Sequence, residues 1–168
     1  HRLSRMGEHA KKENRSLASS KNYQKQRKKT AFLHRKVQRQ RKDYLHALSK
    51  REVENQDLIA AESLKVQNMK KNHKLAKSVS DAGWRTFLTM LQYKGALYGK
   101  TVVLVPPDYT TQTCSVCGYV MKGEEHLTLK TREWECPKCH TIHHRDTNAA
   151  KNILARGIAL LKEQGFLL

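Results

Sequence analysis

The residues whose type and spacing point most directly to chemistry are four cysteines, in CSVCG at 114–118 and CPKCH at 136–140. Each CxxC pair sets two thiolates on one tight turn whose backbone N–H groups face sulfur. Two such knuckles predict a closed tetrahedral site with Cys114, Cys117, Cys136 and Cys139 as ligands and zinc as the expected occupant. A rubredoxin-like iron site has the same spacing and would carry electrons. A thioredoxin-like redox pair would need a separate helix start for each CxxC unit. Four sulfurs leave no open position, so the metal is structural. His126, His140, His143 and His144 are surplus to it and are expected at the surface, facing RNA, or in packing.

Two carboxylates stand out for a different reason. Glu62 interrupts the apolar run DLIAAESL at 57–64. A carboxylate at the end of a buried strand costs desolvation unless it is paired or binds a metal; a strand end that reaches solvent is the alternative. Asp146 precedes TNAAKNIL, where Asp is a favoured N-cap, so helix capping competes with metal binding. Acids on neighbouring elements of an α/β core suit phosphodiester hydrolysis. Shared carboxylates hold two magnesium ions roughly 4 Å apart, ready a water and stabilise the leaving oxygen. A third carboxylate usually completes such a cage, and Asp57, Asp81 and Asp108 offer no convincing one.

The elements that must position these groups follow from periodicity. Residues 2–15 are polar and basic, and SLASSKN at 16–22 reads as a break. From Gln24 to Ser49, Leu33, Val37, Gln40, Tyr44 and Leu48 recur at helical spacing on a thin seam, predicting one long amphipathic helix, either single or hairpinned with residues 3–15. DLIAAESL has the length of a short central strand, although its Ala-rich sequence also suits helix, and VQNMKKNHK then reads as a loop. LAKSVSDAGWRTFLTMLQYKGALYG is helical, with Leu75, Val79, Trp84, Phe87, Leu88 and Leu91 as core contacts. Gly83 weakens it, and Gly95 or Gly99 ends it. TVVLVPP at 101–107 is a strand stopped by Pro106. A hairpin turning near Gly123–Glu125 and returning through Leu127, Leu129 and Trp134 completes a zinc ribbon, and residues 146–165 form the last helix, with Gly157 a weak point. Two strands are too few for a stable sheet of this kind, so either the sheet is incomplete or further strands are expected upstream of His1.

Charge divides the 168 residues unevenly. Residues 1–51 carry 17 Lys or Arg against three acids, and residues 52–168 carry 16 against 12. A basic arm on a more ordinary globular part suits a phosphate backbone. No stretch resembles a secretory signal or a membrane span, and all the cysteines fall in CxxC pairs, so metal binding in a cytoplasmic protein is expected over disulfides.

QRKDYLHALS at 40–49, IAAESLKVQNMKKNHKLAKSVSDAGW at 59–84, YKGALYGKTVVLVPPDYTTQTCSVCG at 93–118 and REWECPKCHTIHHRDTNAAKNILARG at 132–157 carry a specific resemblance. Together they resemble the C-terminal half of TnpB, the OrfB-type transposon-encoded RNA-guided DNA endonucleases related to miniature type V CRISPR effectors. The resemblance implies an incomplete RNase H-like (RuvC-like) nuclease fold with a long basic helical segment and an inserted four-cysteine zinc ribbon. It implies four parts: a basic helical segment at 1–51, a RuvC-like α/β part at 52–110, the ribbon at 111–142 and a terminal RuvC-like helix at 143–168. It further implies three catalytic acids binding magnesium. The second matches Glu62 and the third Asp146, with Arg145 and Asn148 as supporting neighbours; the first matches no residue here, and its strand is expected upstream of His1. Ser63 and His144 stand where the family often has Asp, neither of them a catalytic acid. The partners implied are guide RNA and target DNA. Phosphate-contact candidates are Lys11, Lys12, Lys25, Arg27, Lys28, Lys29, Arg35, Lys36, Arg39, Arg41 and Lys42, with Arg132, Arg145, Lys151 and Arg156 toward the cleaved strand. Trp134 either stacks on a base or belongs to the ribbon core. The expected function is therefore part of a divalent-metal-dependent, RNA-guided DNA endonuclease, inactive alone for want of the first acid. The alternative is a non-catalytic zinc-ribbon nucleic-acid-binding protein.

Overall fold

The computed structural model describes residues 1–14, 16–17, 20–71, 73–128 and 130–166, and only the backbone at 68, 70, 73–75 and 79. The expected roles of Leu75, Val79 and Leu129, and part of the 16–22 break, lie outside the described residues. The chain divides into two compact units, His1–Ala47 and Leu48–Leu168.

In the first unit, α1 spans Arg2–Lys12 and buries Ala10. Ser20 accepts a hydrogen bond from the Tyr23 N–H through its hydroxyl and opens α2 (Lys21–Asn55), which extends past Ser49 and so beyond Ala47, the last residue of this unit. Ten Lys or Arg and no acid lie between Lys21 and Lys42, so self-repulsion and hydration keep this helix surface wet. Leu33, Val37 and Tyr44 of the thin seam are exposed.

The second unit is built on two parallel strands, β1 (Leu58–Glu62) and β2 (Thr101–Val105), paired from Leu58–Thr101 to Glu62–Val105. Between them lie α3 (Val66–Lys70), α4 (His73–Ala82) and α5 (Trp84–Leu97). The expected loop at VQNMKKNHK is therefore corrected to a one-turn helix followed by the start of α4. Its Gln, Met and Lys are good helix formers, and no Gly or Pro interrupts them. Gly83, at φ 63°, does more than weaken the helix: its left-handed backbone separates α4 from α5. Gly99, at φ 65°, follows the end of α5.

Side-chain alternation assigns the two faces of the sheet. Ile59, Ala61, Val102 and Leu104 pack with Val53, Trp84, Phe87, Leu88 and Leu91, which puts α5 and the end of α2 on one face. Gly95 meets Val102 there and sits within α5 instead of ending it. Ala60 and Val103 project from the opposite face, against α6 (Arg145–Glu163), at Gly157. A Cβ at Gly157 would lie 2.9 Å from the Ala60 Cβ and 2.8 Å from a Val103 methyl. Gly157 is thus a contact that lets helix and sheet meet, and α6 runs through it unbroken. In an open helix Gly→Ala gains about 1 kcal/mol. Here overpacking should cost about 1–3 kcal/mol, so the sign reverses. Gly157→Ala should lower the melting temperature by roughly 2–4 °C per kcal/mol lost. A raised melting temperature would show that α6 does not rest on β1 and β2.

The ribbon lies between β2 and α6. Thr113 and Val120 bridge across the first knuckle, while β3 (Glu133–Glu135) and β4 (Ile142–His144) pair antiparallel around the second. Each knuckle carries its own short hairpin, in place of one long hairpin between the cysteine pairs. Among the described residues no helix is long and apolar enough to cross a membrane.

Candidate metal centre and carboxylate site

The two knuckles fold alike because they repeat one hydrogen-bond pattern. The Gly118 N–H donates to the Cys114 carbonyl at 2.9 Å, and the His140 N–H to the Cys136 carbonyl at 2.9 Å. The Cys114 N–H reaches the Tyr119 carbonyl at 2.8 Å, and the Cys136 N–H the Thr141 carbonyl at 3.0 Å. The residue after each second cysteine must turn left-handed. Gly118 does so at φ 73°, and His140 at φ 57° with its ring 2.8 Å from the Glu135 carboxylate. Backbone amides of Tyr119 and Thr141 donate to the sulfurs of Cys117 and Cys139. The Thr141 hydroxyl, then its amide, hold the Cys139 thiol down at about 6.

These turns bring all four sulfurs within 4.8 Å of one another. Cys114 and Cys139 are 3.7 Å apart, and Cys117 and Cys136 3.6 Å. A tetrahedron with metal–sulfur bonds of about 2.3 Å has edges of roughly 3.8 Å, so the cluster fits a tetrahedral thiolate-bound metal. Around it pack Met121, Trp134, Tyr119 and Leu127. Trp134 is buried and lies 4.6 Å from the His143 ring, its partner across β3 and β4. Burial removes Trp134 from the surface and settles its role in the ribbon core over base stacking. His143 is also buried, and its Nε2 lies 3.1 Å from the Cys114 sulfur. Burial, and secondarily Lys151, holds its pKa below the ordinary value. In the tautomer protonated at Nε2 the ring donates to this sulfur, supporting the cluster from outside the ligand set.

The two acids lie on the α6 side of the sheet. Glu62 ends β1 in phase with Ala60, on the face that α6 covers. Its Oε1 accepts a 2.5 Å hydrogen bond from the Thr110 hydroxyl. Asp146 sits in the first turn of α6, where His144 is the N-cap without a side-chain cap bond. The N-cap reading of Asp146 is thus corrected: the cap lies two residues earlier, at His144, because β4 runs directly into the helix. Instead, Asp146 Oδ1 accepts from Arg145 Nε and Nη2, each at 3.1 Å, and Oδ2 from Arg132 at 3.3 Å. Arg145 also donates to the Thr128 carbonyl. Asp146 remains more than half exposed. Asp57 is at the opposite end of β1, where Lys100, 2.6 Å away, holds its carboxyl below the ordinary range by hydrogen bonding and charge. Among the described residues, the four cysteines are the one set of three or more potential ligands drawn together at metal-binding distances.

Other expected site residues are placed as follows. Asn148 is buried, donating to the Thr113 carbonyl at 2.7 Å and accepting from the Ser115 N–H at 2.9 Å. Arg156 donates to the carbonyls of Pro106 and Asp108. Arg132 and Lys151 are exposed, as are Lys11, Lys12, Lys25, Arg27, Lys28, Lys29, Arg35, Lys36, Arg39, Arg41 and Lys42. Sequence reasoning missed Thr110, Gln112 and Asn152. Gln112 pairs with the Leu127 backbone through both amide atoms, at 3.1 and 2.8 Å, as a strand residue would. The available signal was polar spacing on the last helix: Asn148, Asn152 and Arg156 recur every four residues.

Residues 84–153 match the family described as "Cas12f1-like, TNB domain", and residues 1–73 the family described as "Probable transposase". A Streptomyces pristinaespiralis protein named "Putative RNA-guided DNA endonuclease" is 42% identical over 146 residues, covering 86% of this chain and 35% of the relative. The Escherichia coli K12 protein "Putative RNA-guided DNA endonuclease InsQ" is 34% identical over 162 residues, covering 88% of this chain and 40% of its own. The chain thus spans well under half the length of these curated relatives. A Cas12f1 chain, from the cryo-EM structure of the Cas12f1–sgRNA–target DNA complex, shares the fold at TM-score 0.58 and 21% identity, over 73% of this chain and 36% of that one. The chain belongs to the TnpB/Cas12f-like family of transposon-encoded proteins.

Proposed function

We propose that these residues form part of a divalent-metal-dependent, RNA-guided DNA endonuclease that hydrolyses DNA phosphodiester bonds. The observation that carries the reading is the placement of Glu62 and Asp146 on one side of a parallel β pair, with the cysteine ribbon between β2 and α6. Glu62 and Asp146 offer hard carboxylate oxygens of the kind magnesium takes, and they would hold it together with a carboxylate from outside these residues. Bound magnesium supplies an activated water and stabilises the leaving oxygen. The chain's own part is to aim the carboxylates: Thr110 holds Glu62, and Arg145 holds Asp146. Zinc in the four-cysteine cluster keeps the ribbon folded and takes no part in bond cleavage. Purified protein should contain one zinc per chain and be colourless; a red protein with visible absorption would mean iron.

The basic residues of α2 contact the phosphates of a guide RNA–target DNA duplex, while base pairing supplies sequence choice. The test is guide-directed cleavage by the full-length protein with its native RNA, compared between the parent, Glu62→Ala and Asp146→Ala. Intact cleavage in either variant removes that residue from the site.

For the 168 residues alone, a second reading is favoured because, among the described residues, no set of three or more potential ligands that includes a carboxylate is drawn together at metal-binding distances. This chain binds nucleic acid without cutting it. Its affinity should fall steeply with salt, log K changing by about 0.7–0.9 per log unit of salt for each phosphate contact. Magnesium-dependent cleavage by the 168-residue chain would exclude that reading.

A further inference from the structure

The segment joining β2 to the first knuckle is fastened to α6 at both ends and in the middle. Arg156 donates to the Pro106 carbonyl at 3.3 Å and to the Asp108 carbonyl at 2.6 Å. The Asn152 amide nitrogen donates to the carbonyls of Thr110 and Thr113, at 2.9 and 2.7 Å. Asn148 holds the Thr113 carbonyl and the Ser115 N–H. These three residues lie one helical turn apart on one face of α6, so the segment's backbone is fixed against the helix.

At its centre is Thr110, 3% exposed. Its hydroxyl lies 2.5 Å from Glu62 Oε1 and 3.3 Å from the Pro107 carbonyl oxygen. A hydroxyl has one proton to give. The shorter contact falls in the range of charge-assisted O–H to carboxylate bonds, so Glu62 receives it. The Pro107 carbonyl alone could have satisfied a buried threonine. The hydroxyl is turned to the carboxylate of the neighbouring strand instead.

We propose that Thr110 is a positioning residue for Glu62. Its hydroxyl pins Oε1 and fixes the glutamate rotamer, so that Oε2 is presented to a divalent cation. The proposal rests on the reading of Glu62 as a metal-binding carboxylate and adds the residue that orients it. Groups that orient metal ligands typically matter by about 10–100-fold in affinity or activity. The fastening by Asn152 extends the effect: the carboxylate is oriented by a loop whose other end begins the first knuckle.

The test uses the RNA-free full-length chain for Mn²⁺ binding by electron paramagnetic resonance, and the full-length protein with its guide RNA for cleavage. Thr110→Val keeps the side-chain shape and removes the donor; Thr110→Ser keeps the donor. Thr110→Val should weaken Mn²⁺ binding and slow cleavage by about 10-fold or more, with part of the rate recovered at higher Mg²⁺, while Thr110→Ser stays near the parent. Melting temperature and zinc content, measured on the same samples, identify a variant that has merely lost its fold, and Thr110→Ser then carries the comparison. Parental Mn²⁺ affinity and cleavage in a folded Thr110→Val protein would overturn the proposal while Glu62→Gln is impaired. Parental behaviour of Glu62→Gln would overturn the underlying reading of Glu62, and the role of Thr110 with it.

Discussion

Asp146→Asn should reduce guide-directed DNA cleavage about 10³-fold while leaving DNA binding intact or slightly tighter. The substitution preserves shape and removes one negative charge from the first turn of α6. A carboxylate that holds a catalytic metal contributes several kcal/mol of transition-state stabilisation, and each 1.4 kcal/mol is tenfold in rate. Its loss also leaves the positive charges of Arg145 and Arg132 without the anion they share. Two cations beside a DNA phosphate then attract the strand more strongly, so binding and cleavage move in opposite directions. A purely structural ion pair predicts a different outcome. The exposed Arg132–Asp146 pair would be worth no more than about 1 kcal/mol, and an isosteric Asn would leave cleavage little changed. Cleavage by Asp146→Asn within threefold of the parent would remove Asp146 from the metal site.

The second large effect is expected from the cysteine cluster. Stripping its metal with a chelator, or replacing Cys136 by Ser, should unfold the ribbon while leaving the β1–β2–α5 packing in place. The ribbon's buried core amounts to Cys114, Met121, Trp134 and Cys136, with a few half-buried neighbours. A core this small does not offset its own ordering entropy, whereas a structural zinc supplies apparent binding energy of about 10–16 kcal/mol. Amide hydrogen exchange gives the readout. The N–H groups of Cys114, Gly118, Cys136 and His140 are bonded within the knuckles and should lose protection together. Those of β1 and β2 should keep theirs. Persistent protection at the knuckle amides after complete metal removal would show that packing alone holds the ribbon.

How far the sequence reveals this molecule depends on the range over which each feature is determined. CxxC spacing is local, and all four ligands meet as expected. The strands LIAAE and TVVLV declare themselves through apolar, β-branched runs, and Glu62 through its contrast with them. Asp146 is a good cap by type, whereas the actual start of the last helix is set by β4 running into α6. Gly95 and Gly157 looked like helix breakers. Only the approach of a neighbouring strand shows them to be contacts. Thr110 lies 48 residues from Glu62 along the chain, and no local pattern could join them. The Asn148–Asn152–Arg156 stripe was readable as a polar face on α6, but its target, a row of loop carbonyls, required the fold.

The two-strand sheet has a practical corollary. Among the described residues β1 pairs with β2 and with no other strand, so each presents an outer row of backbone donors and acceptors. Such rows template pairing with other polypeptides. Produced on its own, this chain will tend to associate through those rows as its concentration rises. Fusion to a solubilising carrier, or a lysine placed on an outer edge, is then the route to a well-behaved sample.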